Sequence, residues 1–283
     1  MTAPSTPDWH PEPLTVKVDP AHGGRWTSLR TPTREWLWTN PDPGVAAART
    51  EVRPGQAFVD AGGLEECFPT INGSPDHGHA WSRPWAVGPD DRADPDPDHG
   101  DAGYLAVATP SGRLHRRIEV SDGAVTARYL VTGEPGTVFH HAAHALLDLS
   151  PAATWAAAGR RRTTGATDSA TPVEHLGPDD GSAVGIVVEG ARAVTVTDAD
   201  HRLRLTWGTD RDTDSGHCSL MVWRNLRGWP ATGPYRSIGI EPLIGRNSDL
   251  AVSLAEPGEV PRIGPDGTFG WWLRFAADRY ARS

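Results

Sequence analysis

The chain has 283 residues, enough for one large domain or two small ones, and 37% hydrophobic with 22% charged residues exclude wholesale disorder. A formal charge of −9, from 27 basic and 36 acidic side chains, repels phosphate backbones and argues against nucleic acid as a partner. No apolar run nears the roughly 20 residues of a membrane helix, and the start MTAPSTPDWHPEP has neither part of a secretory leader, so no membrane partner and a cytoplasmic location are expected.

Residues 1–13 are polar and proline-rich and read as a flexible tail. Residues 14–283 show no break in composition and read as one domain. Leu14, Val16 and Val18 alternate with Thr15 and Lys17, as in a half-buried strand, and Gly23-Gly24 turns the chain into a returning strand over 25–29. Residues 35–38 are a short extended piece. Residues 39–57 read as loop, with PDPG at 41–44 as a turn signal. Then comes GGLEECFPTINGSPDHGHAWSRPW, residues 62–85, where Pro69, Pro75 and Pro84 argue for a loop. Polar loops on a rigid scaffold are where binding and catalysis sit, so this one is expected to wall a carbohydrate cleft. Residues 88–103 are acidic and broken by proline and glycine, an exposed connection whose aspartates do not match a calcium-binding EF-hand loop.

Short alternating runs follow at 104–109, 114–121 and 124–132, with Asp122-Gly123 as a hairpin turn. More come at 138–149, 184–188, 193–197, 203–207, 219–224, 235–241, 250–254 and 269–275. Between them, 151–159 is at most a short helical turn and Arg160 to Arg162 a polar stretch. No long segment has a 3.6-residue period and no repeat recurs, so the expectation is an all-β, large antiparallel sandwich. The 12 tryptophans suit both a sandwich core and the stacking of pyranose faces. Cys67 and Cys218 form no disulfide framework and read as free thiols.

Three clusters could do chemistry. The first is the 62–85 loop, with Glu65, Glu66, His77, His79, Arg83 and Trp85. The second is VFHHAAHALLDLS, residues 138–150. As a strand it turns Phe139, His141, Ala143, Ala145, Leu147 and Leu149 to the core. His140, His144 and Asp148 then face a cleft or water. The third is YRSIGIEPLIGRNSDL, residues 235–250, which places Glu241 on the face opposite Ile238 and Ile240. Gly239 there leaves room for a ligand, and Pro242 is expected to end ladder pairing. A histidine and a glutamate, with unperturbed pKa values of roughly 6.5 and 4.3, can donate and accept protons in concert near neutrality. Sugar ring opening needs that pairing and no cofactor. A zinc site from His77, His79, His141 and His144 is the competing reading, but strand geometry sends His141 and His144 to opposite sides.

These motifs, in this order, resemble the aldose 1-epimerase (galactose mutarotase-like) family. VDPAHGGRWTSL followed by EWLW is similar to the family's opening strand and glycine turn. GGLEECFPTI followed by PDHGHAWSRPW is similar to the loop bearing the family's HG histidine, here His77. HALLDL is similar to the segment that opens with the acid histidine, here His144. SIGIEPLIGRNSDL is similar to the segment with a glutamate before proline, here Glu241. The likeness spans about residues 14–276.

The resemblance implies a β-supersandwich in which His144 is the general acid, Glu241 the general base and His77 a ligand to a sugar hydroxyl. Arg83, Trp85, Glu66 and His79 are further substrate-binding candidates in the same loop. No cofactor or metal is implied. The expected partner is a monosaccharide or sugar phosphate, with the chain a monomer or homodimer; Arg160 to Arg162 are the candidate phosphate contacts. A non-catalytic sugar-binding protein of the same fold is the alternative. Two family features are replaced: GGLEECFPTI stands where an asparagine-arginine motif is usual, and MVWRNLRGW spans the region of the substrate-binding aspartate.

Overall fold

The alternating runs fold into two antiparallel sheets in a computed structural model, which describes residues 9–87, 104–166, 173–255 and 260–280. In chain order the elements are β1 (Trp9–Glu12), β2 (Thr15–Asp19), β3 (Arg25–Arg30), α1 (Pro43–Thr50), β4 (Leu64–Cys67), β5 (Ala86–Val87) and β6 (Leu105–Thr109). Next come β7 (Gly112–Ser121), β8 (Ala124–Thr132), β9 (His141–Ala145), β10 (Thr154–Ala156), β11 (Arg160–Ala166) and β12 (Ala183–Glu189). The rest are β13 (Ala193–Asp198), β14 (His201–Thr209), β15 (Cys218–Leu226), β16 (Arg236–Ile244), α2 (Leu250–Leu254) and β17 (Thr268–Tyr280).

The first sheet runs β10-β13-β14-β17-β8-β7-β6-β5, and the second β11-β12-β15-β16-β9-β4-β3-β2. Their facing sides make one core. Leu114, Tyr129, Leu205 and Trp271 of the first sheet belong to the same buried cluster as Trp26, Ala143, Val222 and Ile240 of the second. The outer face of the second sheet is apolar only locally, where Cys67, Ala142, Met221 and Leu243 pack together. That buried apolar floor, carried on central strands, is where a site can be built. The β7–β8 hairpin turns at Asp122 (φ 51°) and Gly123 (φ 74°), two successive left-handed residues whose twist matches the strands they join.

Several elements differ from the sequence reading. Residues 9–12 of the expected tail are strand β1, because β17 outruns β8: β8 pairs with it only as far as Phe275, and β1 takes Ala277 to Tyr280. Within 39–57 lies helix α1, too short to show a period. It is nucleated by Pro43 in its first turn and by the Asp42 carboxylate, which accepts from Gly44 N at 2.8 Å. Residues 250–254 form α2 rather than a strand, since Asp249 caps the amides of Ala251 and Val252. Residues 154–156 are β10, not a helical turn. Residues 160–166 form edge strand β11. The expected connection at 88–103 lies outside the described residues. Pro242 does not end its strand: it faces Leu220 of β15, and β16 continues to Ile244. No helix among the described residues is long and apolar enough to cross a membrane.

Candidate active site

β9 lies between β16 and β4, and its two-residue period separates its histidines. His141 turns inward with Ala143 and Ala145, while His144 turns to the outer face. The β4 register carries the same split, since Glu65 pairs with His144 and Glu66 with Ala143. On β16, Ile238, Ile240 and Ile244 enter the core, so Glu241 points outward. His144 Nε2 and Glu241 Oε1 thereby come within 3.7 Å of each other at the base of a cavity of about 450 Å³.

Glu241 is 1% exposed. Burial raises its carboxyl pKa above the ordinary glutamate value, with the nearby His144 pulling the other way, so it is a stronger base than a solvated glutamate. Gly239 makes its position possible. A Cβ at residue 239 would lie 2.3 Å from Glu241 Oε1, so the carboxyl occupies the space a side chain would fill. Among the described residues, neither Glu241 Oε1 nor His144 Nδ1 has a hydrogen-bond partner, although both are buried. Core groups such as the Trp26 and Trp36 indoles and the His140 ring share that condition, so what marks this pair is that both side chains also line the cavity.

One wall comes from the loop between β4 and β5. His77 has a left-handed backbone (φ 58°) and its ring stacks on Phe58, with centroids 3.7 Å apart and planes 3° from parallel. It meets His144 edge-on at 5.2 Å. The Asp76 carboxylate lies 2.9 Å from His77 Nδ1. Burial alone would raise the Asp76 pKa, but the hydrogen bond and charge of His77, with His144 beyond, hold it below the usual aspartate range. The loop can pass this close because residue 78 is glycine: a Cβ there would sit 2.3 Å from the Phe68 carbonyl oxygen.

The opposite wall is aromatic. Met221 and Trp223 of β15 are the register partners of Glu241 and Gly239, and Trp229 stands at the rim. Asp60 reaches the cavity from the strand-free stretch before β4, and accepts a 2.6 Å hydrogen bond from the Tyr235 hydroxyl. Asn72 is steadied by a 3.0 Å hydrogen bond to Ser248 Oγ. Behind His144, Glu65 is clamped by Arg49 of α1 through Nε–Oε1 and Nη2–Oε2 contacts of 2.8 and 3.0 Å. Burial pushes the Glu65 pKa up to about 7 against the pull of Arg49 and Arg25.

Of the residues singled out from sequence, His77, His144 and Glu241 converge on the cavity, and the other four do not line it. Glu66 is fully buried between the sheets, bound to Arg116, Tyr129 and His141. Trp85 is a core residue that donates to the Ala80 carbonyl and lies under the Arg116 guanidinium. A sugar-facing role for these two does not fit: Glu65 shares the outer face with His144, so its neighbour Glu66 faces inward, and Trp85 is packed in the core. His79 and Arg83 are half-buried just beyond the loop wall. Arg160 and Arg162 pair with Glu189, and Arg161 with Glu174, on β11 rather than at the cavity. Phe58 and Asp60 entered the site without any signal in the sequence, whereas Asn72 lies in the 62–85 loop and Trp229 ends the MVWRNLRGW segment, both singled out as regions but not as residues.

No protein-family model matches the chain, and no curated protein matches it in sequence. Solved structures do. A protein from Escherichia coli K12, provisionally named an aldose 1-epimerase, superposes with a TM-score of 0.67 at 14% identity, covering 97% of this chain and 100% of that one. The galactose mutarotase related enzyme of Lactobacillus acidophilus gives 0.60 at 11% identity over 98% of both chains. A galactose mutarotase-like protein of Lactobacillus casei gives 0.57 at 13% identity, with 95% and 100% covered. The chain therefore has the galactose mutarotase-like fold.

Proposed function

We propose that the protein is an aldose 1-epimerase-like isomerase that interconverts the α and β anomers of a free or phosphorylated aldose. The observation that carries this reading is the His144–Glu241 pair, 3.7 Å apart at the base of one cavity. That separation is too long for the two groups to satisfy each other and short enough for both to reach one pyranose. Glu241, made more basic by burial, takes the proton of the anomeric hydroxyl. His144, as imidazolium, gives a proton to the ring oxygen as the C1–O5 bond breaks. The open-chain carbonyl then turns about the C1–C2 bond. Closure with the proton transfers reversed gives the other anomer and restores both side chains. His77, presented by its stack on Phe58, and Asp60 and Asn72 are positioned to hold sugar hydroxyls.

Exchange NMR with a panel of free and phosphorylated aldoses tests the proposal. Anomer exchange above the spontaneous rate is expected, and its loss in Glu241→Gln. Binding without exchange across the panel would leave a sugar-binding protein instead.

A further inference from the structure

Trp229 is 49% exposed, among the most exposed large apolar side chains described, and it stands on the lip of the cavity. Single exposed apolar residues are ordinary and need no explanation. This one differs because its backbone is clamped. Asn225, fully buried, accepts from the amides of Gly228 and Trp229 at 3.0 Å each and donates to the Trp229 carbonyl at 2.7 Å. The Asn225 amide fixes this turn through three hydrogen bonds, with a longer one of 3.5 Å to Ser237 Oγ tying it to β16, and the turn presents an indole to solvent. The ring sits edge-on to Trp223, with centroids 6.3 Å apart, and edge-on to Tyr235 at 6.2 Å. Tyr235 is in turn stacked on Trp38 at 5.7 Å and hydrogen-bonded to Asp60. The indole is thus held in a rigid aromatic corner, continuous with the floor that carries Glu241.

We infer that this corner is an outer subsite for a second sugar ring, so that the preferred ligand is a reducing disaccharide or longer oligosaccharide. The inference rests on the anomer-exchanging reading of the inner site. The chemistry of the inner pair requires a free anomeric carbon beside Glu241 and His144. Any further ring must then extend toward the open rim, and there the surface offered is flat and apolar, suited to the C–H face of a pyranose. Burying that face on a preorganised indole costs little ordering entropy.

The test measures binding separately from turnover. Titrate Glu241→Gln with glucose, cellobiose and maltose, following tryptophan fluorescence or calorimetric heat, and repeat the series with Trp229→Ala and Trp229→Phe added. Measure anomer exchange of the same sugars on the unaltered protein. A disaccharide is expected to bind about tenfold more tightly than glucose. That ratio should fall toward one with Trp229→Ala and be largely kept with Trp229→Phe, which retains a flat ring. Equal affinity for one and two rings, no binding of any of the three, or a Trp229→Ala loss that is the same for glucose and disaccharide each overturn the subsite. Ring-number preference without exchange on the unaltered protein leaves the subsite standing and removes the isomerase reading. Exchange without ring-number preference does the reverse.

Discussion

Two imidazole–carboxylate pairs leave strand β9 three residues apart on opposite faces, and they share little beyond residue type. In the inner pair, His141 Nε2 lies 3.0 Å from Glu66 Oε2, and both side chains are sealed from solvent. Trp271 donates to His141 Nδ1 at 3.0 Å, which places the ring proton on Nε2, facing the carboxylate. Glu66 also accepts from Arg116 and from the Tyr129 hydroxyl. Burial would raise its pKa, yet Arg116 and His141 hold it below the ordinary value. In the outer pair the separation is 3.7 Å, the carboxyl pKa is raised, and Oε1 and the imidazole Nδ1 lack partners. The inner carboxylate is saturated and cannot easily take a proton; the outer one is unsaturated and ready to. What separates a structural pair from a reactive one here is the completeness of its hydrogen bonding.

The comparison is broken most directly by exchanging which pair loses its acid. Glu241→Gln keeps the shape and removes the base, so exchange should fall by about 10²–10⁴-fold while the unfolding midpoint stays near that of the parent. His144→Ala should lose activity on the same scale. Glu66→Ala should do the opposite. It strands the fully buried Arg116 guanidinium, and removing one partner of such a pair costs about 3–5 kcal/mol of stability. Whatever remains folded at low temperature should still exchange anomers. Urea unfolding and exchange NMR on the three variants check this. A stable but inactive Glu66→Ala, or an unfolded Glu241→Gln, would invert the assignment of the two pairs.

The strand parity behind this contrast was readable in sequence. HHAAHALL alternates apolar residues on one side, and that alternation already set His141 and His144 apart. Ile238 and Ile240 did the same for Glu241. Parity was also what the 62–85 segment lacked. Glycines and prolines masked the four residues of β4, so Glu65 and Glu66 read as one acidic patch rather than two faces. Helix α1 escaped because its evidence is a cap and a proline, not a period. Phe58, Asp60 and Trp229 come from connections, and only tertiary packing brings them to the cavity. Their distances to Glu241 in sequence carry no periodic trace of it.

A third histidine of the same segment gives a control. His140, which strand parity was expected to turn toward the cleft with His144, is fully buried instead because it precedes β9, and neither ring nitrogen has a partner among the described residues. Burial lowers its pKa from 6.5 to about 4, with Asp249 pulling it up and His217 pressing it further down. Between these values the unfolded chain binds a proton there that the folded chain does not. Stability from this group is therefore complete above about pH 6.5 and is lost as pH falls toward 4, by about 3 kcal/mol in all. His140→Leu should remove that component, so the difference in unfolding free energy between variant and parent should change across pH 4–6.5 and be flat above it. A constant difference would mean that His140 takes up its proton without cost in the folded state.

The smallest expected effect sharpens the contrast most, because it moves the outer carboxylate without deleting it. Gly239 lies on a strand with no positive φ, so alanine suits its backbone. The added methyl would meet Glu241 Oε1 at 2.3 Å and the Trp223 Cβ at 3.1 Å. A carboxylate is the mobile end of a flexible side chain, so it should swing away while the sheet holds. Gly239→Ala is then expected to melt like the parent, to lower kcat by about 10- to 100-fold through misplacement of the base, and to change KM much less. A parent-like kcat would show that the present position of Oε1 is not the working one. A fall confined to KM would move Gly239 from seating the base to contacting the sugar.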